Sequence, residues 1–201
     1  MIFKNKLTLC QFQTKLVIVH CKKWYNSKDN YKMIETERLI LKPLTYDQLL
    51  KYAKCDNSLE KELNLNLTSR IISPELKEAL EQTIIPNVAD KTKNHLYSTL
   101  WTAISKKENK MIGDLCIIGE PNSKGEIEIG YGTHEEFQNK GFMTEIVREI
   151  IEWVKLQPSV KSIIASTDKT NIASYKVLQK NNFIKIGESE TTFIWKLIIQ
   201  Q

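Results

Sequence analysis

The sequence lacks the features that mark several protein classes. Its four cysteines, Cys10, Cys21, Cys55 and Cys116, form no CxxC or CxxxC pair. Neither a disulfide framework nor a zinc site is indicated, and a reducing, cytoplasmic setting is expected. No apolar run approaches the roughly eighteen residues needed to cross a bilayer. The stretch Leu16-Val17-Ile18-Val19 is too short for the core of a secretory signal, and no small-residue cleavage site follows it. The first 32 residues hold few acids, as transit peptides do, but they contain no arginine.

The body of the chain also lacks a surplus of positive charge. The formal net charge is +5, but residues 1–32 carry seven lysines against the single acid Asp29. The remainder therefore sums to about −1, which gives a polyanion little to bind. The basic character belongs to a lysine-rich extension over 1–32, and Met33 opens what reads as one complete domain over 33–201.

From Met33 the pattern alternates strand and helix. Arg38–Leu44 reads as a strand, and Thr45 to Gln48 open a helix. Ser73-Pro74-Glu75 is a strong helix start, with a capping serine, proline at the first helical position and an acid in the first turn. That helix is expected to end at Pro86. Ser98–Ser105, Lys110–Ile118 and Glu126–Tyr131 read as three consecutive antiparallel strands. Gly141–Leu156 carries apolar residues at helical spacing, and Val160–Ala165 is a short buried strand. A helix over Asn171–Gln179 and strands over Phe183–Gly187 and Thr192–Ile199 complete the chain. The order implies an α/β (α+β) fold: a mixed, mostly antiparallel central sheet with helices on both faces. Trp101, Trp153 and Trp195 fall on apolar faces and are expected in the core, whereas His95 and His134 read as loop or surface histidines.

Two joints carry chemistry. Strand Glu126–Tyr131 feeds a loop that ends at Gly141, the head of a helix. Unpaired amides in a first helical turn, with the helix dipole behind them, make an anion site. Lys140 adds a cation at its edge. In the second joint, Asn171 stands at a helix start with Ser174 one turn along, and Asn182 follows the helix end, where a left-handed residue is wanted.

Together, in this order and separation, the two segments resemble the GCN5-related N-acetyltransferase superfamily. The family's pyrophosphate motif, Gln/Arg-x-x-Gly-x-Gly/Ala, reads here as Gln138-x-x-Gly141-x-Met143, so the third position departs. Glu35-Thr36-Glu37-Arg38-Leu39, Glu128-Ile129-Gly130-Tyr131 and Met143-Thr144-Glu145 are similar to the RimJ/RimL-type branch. Its Asn-x-x-Ser-x-x-x-Leu-x-x-x-Gly-Phe segment corresponds to Asn171–Phe183, with Asn182 in place of the glycine. The resemblance spans Met33 to about Ile199.

The resemblance implies the acyl-CoA N-acyltransferase fold and acetyl-CoA as co-substrate, without a metal. Tyr131 and Thr133 are then backbone partners of the pantetheine arm, and Asn171 contacts the same arm. The pyrophosphate is assigned to Gln138, Asn139, Lys140, Gly141, Phe142, Met143 and Thr144. Glu128 is the candidate general base, because strand alternation turns it away from Ile127 and Ile129. Ser174 is the neighbour of the thiol. Leu178 stands where many relatives carry a tyrosine acid, and Tyr175 is about 100° round the helix from Ser174. The implied acceptor is a primary amine. A protein N-terminus comes first, ribosomal proteins being the branch's best-known targets, ahead of a small molecule such as an antibiotic or polyamine.

Glu60, Glu62, Glu75, Glu78 and Glu81 give the acceptor-side region an acidic cast that would favour cationic acceptors. The expected assembly is a monomer or homodimer, with no membrane and no nucleic-acid partner. Two other classes remain open at this point: a CoA-binding domain without catalysis, and a nucleic-acid or ribosome-binding module built on the basic extension.

Overall fold

The computed structural model describes residues 24–26 and 32–200. The reading of residues 1–32 as an extension therefore falls largely outside the described residues. Among the described residues nine strands form one sheet: β1 (Trp24–Asn26), β2 (Lys32–Glu35), β3 (Leu39–Pro43), β4 (Leu100–Ser105), β5 (Lys110–Ile117), β6 (Glu126–Thr133), β7 (Ser162–Asp168), β8 (Ile184–Glu188) and β9 (Thr192–Ile198). Their order is β1-β2-β3-β4-β5-β6-β7-β9-β8. Every pairing is antiparallel except β6–β7. That one parallel pair follows from the connection, since the chain crosses back through a helix before β7.

Helices cover both faces. On one face lie α5 (Phe142–Val154) and α6 (Ile172–Lys180). The apolar stripe of α5, with Ile146, Val147, Ile150 and Val154 fully buried, packs in one cluster with Ile127 and Ile129 of β6 and Leu178 of α6. Burying each such side chain contributes about 1.5–3 kcal/mol before entropy is counted. Trp101, Trp153 and Trp195 lie in this core, and the Trp101 and Trp153 rings stand 5.3 Å apart. On the other face, a second cluster includes Leu49 and Tyr52 of α1 (Tyr46–Lys54), Leu59 of α2 (Ser58–Glu62) and Leu80 and Ile84.

Pro86 does not end its helix. The segment runs from α3 (Pro74–Ala79) through a π turn at Leu80–Ile84 into α4 (Ile85–Ala89). A proline lacks the amide for an i→i−4 bond and its ring crowds the preceding turn. The wider turn, closed by the Ile85 amide on the Leu80 carbonyl, takes up that clash, so Pro86 sits in the first turn of α4. The short α2, the edge strand β1 and its neighbour β2 are also absent from the sequence reading.

Candidate active site

Strands β6 and β7 separate part-way along their length. They pair at Glu126↔Ser162, Ile127↔Ile163 and Glu128↔Ile164 and no further. Beyond Glu128, β6 stays on β5 as far as Thr133, while β7 stays on β9 as far as Asp168. A V-shaped gap therefore opens at Ile129, leaving backbone groups of β6 that no strand pairs on that side.

The loop after β6 closes one end of this gap. Asn139 and Gly141 both adopt left-handed backbone, with φ of 59° and 75°. Two left-handed residues this close turn the chain sharply into α5, whose first amides have no partner inside the helix. A Cβ added at Gly141 meets nothing within 4 Å, so glycine is required here for its φ rather than for protein packing.

A clasp holds this helix start in place. Arg38 donates to the Glu145 carboxylate through Nε at 2.8 Å and through its terminal nitrogen. Thr36 Oγ1 donates to the other oxygen of Glu145 at 2.6 Å. The Arg38 guanidinium also lies 4.7 Å from the centre of the Phe142 ring. From the opposite side, Asn181 Nδ2 donates to the Thr144 carbonyl at 3.2 Å.

At the other end of the cleft stands a tyrosine–serine pair. The Tyr131 hydroxyl donates to the Ser174 carbonyl at 2.9 Å, and Ser174 Oγ lies 3.1 Å from the Tyr131 oxygen. A carbonyl can only accept, so the single tyrosine proton is committed there and the serine donates to the tyrosine. Burial pushes the Tyr131 hydroxyl up to about 12, so it stays protonated through the physiological range. Asn171 caps α6 by accepting from the Ser174 amide at 3.0 Å.

Between these ends lies a cleft of about 410 Å³. Tyr131, Thr133, Gln138, Asn139 and Gly141 line it, as do Phe142, Met143, Thr144, Asn171 and Ser174. Two of the sequence candidates do not. Lys140 turns aside, its ammonium donating to the Glu136 carbonyl at 2.7 Å and lying 5.2 Å from the Phe137 ring centre. Glu128 belongs to the opposite face of the sheet, where Ser166 Oγ lies 3.5 Å from its Oε1.

Cys116, paired with Gly130 across β5 and β6, shares the face of Glu128. Burial pushes its thiol up to about 11, so it is a neutral thiol near pH 7 and no nucleophile. On that same face the Tyr52 hydroxyl donates to Asp114 Oδ2 at 2.6 Å. His134, read from sequence as a loop histidine, sits in the loop after β6 with Nδ1 3.1 Å from the Met111 carbonyl and Nε2 3.6 Å from Asp114. His95 is half-buried in a 3₁₀ turn, and its burial lowers its proton affinity. The acidic cast of the acceptor-side region is partly internal. Glu60 is buried against Arg70 at 2.9 Å, and Glu62 pairs with Lys51.

A family described as an acetyltransferase (GNAT) domain matches residues 38–184. The chain belongs to the GNAT acetyltransferase family. As a member it is an acetyl-CoA-dependent N-acetyltransferase. The uncharacterized N-acetyltransferase YjdG of Bacillus subtilis (strain 168) is 26% identical over 155 residues, covering 76% of this chain and 89% of that protein. Among solved structures, the ribosomal-protein-S5-alanine acetyltransferase from Vibrio fischeri superposes with a TM-score of 0.60 at 21% identity, covering 84% of this chain and 97% of that one. RimL, a ribosomal L7/L12 α-N-protein acetyltransferase solved with coenzyme A, gives a TM-score of 0.60 at 16% identity, with 83% and 98% covered. At these identities the structures share the GNAT fold.

Several residues in or beside this GNAT cleft escaped the sequence reading. Thr36, Arg38 and Glu145 lie in segments noted there only for their likeness to the RimJ/RimL branch. Lys176 and Lys180, unlike those three, line the cleft itself. Their four-residue spacing was a legible sign that both point one way. Among the described residues no three His, Cys, Asp or Glu side chains are grouped to hold a metal, and no helix is long and apolar enough to cross a membrane.

Proposed function

We propose that the protein moves the acetyl group of acetyl-CoA onto a primary amine, with a protein N-terminus as the first-choice acceptor and a small-molecule amine as the second. The observation that carries this reading is the gap between β6 and β7, bounded by the α5 start at one end and the Tyr131–Ser174 pair at the other. In this reading the amides of Asn139 to Thr144 receive the diphosphate, and Gln138 borders it. The backbone of Tyr131 and Thr133 that faces the gap pairs with the pantetheine arm beside Asn171, and the Thr133 carbonyl also accepts from Gln138 Nε2 at 3.3 Å. Lys140 contributes through its backbone alone.

The chemistry follows from the thioester. A neutral amine nitrogen attacks the carbonyl carbon directly, the C–N bond forms and the C–S bond breaks. Glu128 takes the proton that the acceptor ammonium must lose, directly or through a water. Ser174 Oγ–H turns from Tyr131 to the departing sulfur and stabilises the thiolate, which then gains a proton to become the thiol. Products are the amide, the CoA thiol and one released proton. Tyr131 is too weak an acid to protonate a thiolate, since ordinary thiols titrate near ~8.5. It therefore acts by holding Ser174. Strand alternation supports the division of labour: Glu128 and Tyr131 lie on opposite faces of β6, so base and sulfur donor flank the gap from two sides.

Both superposing structures named above act, by their names, on ribosomal proteins. That is the support for ranking a protein N-terminus first. The test is a melting curve with acetyl-CoA, followed by thiol release with peptides beginning in alanine or serine, spermidine and an aminoglycoside. Acetyl-CoA should raise the melting temperature. No shift at millimolar ligand would end the reading, and faster turnover of spermidine or the aminoglycoside would reverse the acceptor order.

A further inference from the structure

We infer that Lys176 and Lys180 form a subsite for the 3′-phosphate on the ribose of coenzyme A, distinct from the diphosphate site at the start of α5. The inference rests on the acetyl-CoA reading above and adds a recognition element that the motif residues do not supply.

Helix α6 runs beside the whole cleft. Its first turn meets β6, where Ser174 touches the Tyr131 hydroxyl, and Asn181 just past its end reaches the Thr144 carbonyl in the first turn of α5. Ala173, Lys176, Val177 and Lys180 follow the i, i+3, i+4, i+7 spacing of a single helix face, and all four line the cleft. From Ser174 to Lys180 the helix rises about 9 Å. The cleft wall thus grades from small and polar beside the thiol end to cationic beside the α5 start.

Charge sets the requirement. No carboxylate lines the cleft, and both lysines are exposed. Among the described residues neither ammonium has an ion pair or hydrogen bond. A diphosphate brings two negative charges, and the α5 start answers it with unpaired amides and about +0.5 of helix dipole. Two further full positive charges one helical turn apart call for another anion. A phosphomonoester of about −1.5 to −2 is the matching group, and coenzyme A carries one on its ribose.

The test compares coenzyme A with 3′-dephospho-coenzyme A by calorimetry on the full chain, in wild type and in the double variant Lys176→Gln, Lys180→Gln. Both positions are on the surface, so the variant should keep the wild-type circular dichroism. Wild type should bind coenzyme A about tenfold more tightly than the dephospho form, and less so at high salt. In the variant the two ligands should bind within about threefold of one another, with the dephospho affinity near its wild-type value. Equal binding of both ligands by wild type overturns the inference. Equal loss of both in the variant also overturns it, since the lysines would then serve the diphosphate. Binding of neither ligand by wild type is a different result and sinks the acetyl-CoA reading itself.

Discussion

Arg38 and Glu145 stand 107 residues apart in the chain and meet through two nitrogens of the guanidinium on one carboxylate oxygen. The pair ties the entry to β3 onto the first turn of α5, the turn that carries the proposed diphosphate amides. Glu145 is nearly buried and also accepts from Thr36. The carboxylate therefore favours the helix N-terminus twice, through the dipole and through an external cation that fixes the helix laterally.

Arg38→Ala should cost about 1–3 kcal/mol, because it strands a buried carboxylate with only a threonine hydroxyl. The same change should weaken acetyl-CoA binding more than it lowers kcat, since it loosens the phosphate loop and leaves Glu128 and Ser174 untouched. Urea unfolding and the acetyl-CoA KM check the two halves. A KM unchanged alongside a clear stability loss would show that the clasp is structural only.

Gly141→Ala has space for its methyl group but the wrong backbone preference. Holding alanine at φ of 75° costs roughly 1–2 kcal/mol. The expected result is lower stability together with weaker coenzyme A binding, read by calorimetry. Affinity at the wild-type level would mean that the turn tolerates a shift in φ.

Ser174→Ala and Glu128→Gln separate the two halves of the proposed chemistry. Glu128→Gln should lower kcat on the order of a hundredfold with coenzyme A affinity kept, as loss of a general base does. Ser174→Ala should lower kcat by about tenfold, the size of one hydrogen bond to a developing anion. Steady-state kinetics with the best amine of the panel decides. Full activity of Glu128→Gln would move the base to another residue.

Alkaline pH should probe Tyr131. Its hydroxyl titrates near 10 in the unfolded chain and is pushed up to about 12 in the fold. A raised value means stability that is complete below pH ~10 and lost as pH rises through the folded value. Wild type should therefore lose stability between pH ~10 and ~12, and Tyr131→Phe should lose less over the same window. Melting temperatures in a pH series measure the difference.

The buried pair Glu60–Arg70 makes a separate stability test. Both side chains are almost wholly inaccessible, and Arg70 also stacks over the Tyr52 ring at 4.0 Å. Glu60→Gln should destabilise by about 3–5 kcal/mol by leaving a buried guanidinium without its counter-ion. Replacing both by apolar residues of similar volume should cost far less.

The sequence by itself determined the order of the main elements from β3 onward, without the short α2, together with the two motif segments and helix caps such as Ser73, because these rest on local chemistry. Ser73 accepts from the Leu76 amide as its capping pattern requires, and Asn182 takes the left-handed backbone expected after α6. Helical spacing in α5 was enough to name its buried stripe. Pro86 misled for a local reason too, since a π turn accommodates proline at a price that residue spacing does not display.

Only the tertiary structure decided what each candidate side chain faces. The Lys140 ammonium, read as a cation at the edge of the anion site, lies on the Glu136 carbonyl, and Tyr131, read for its backbone alone, also places its hydroxyl on Ser174. Arg38 and Glu145 have no signal in spacing at all, because their contact exists only once β3 and α5 have packed. Periodicity fixes the direction of a side chain relative to its own element; its partner depends on where other elements stop, and that is a property of the packed sheet.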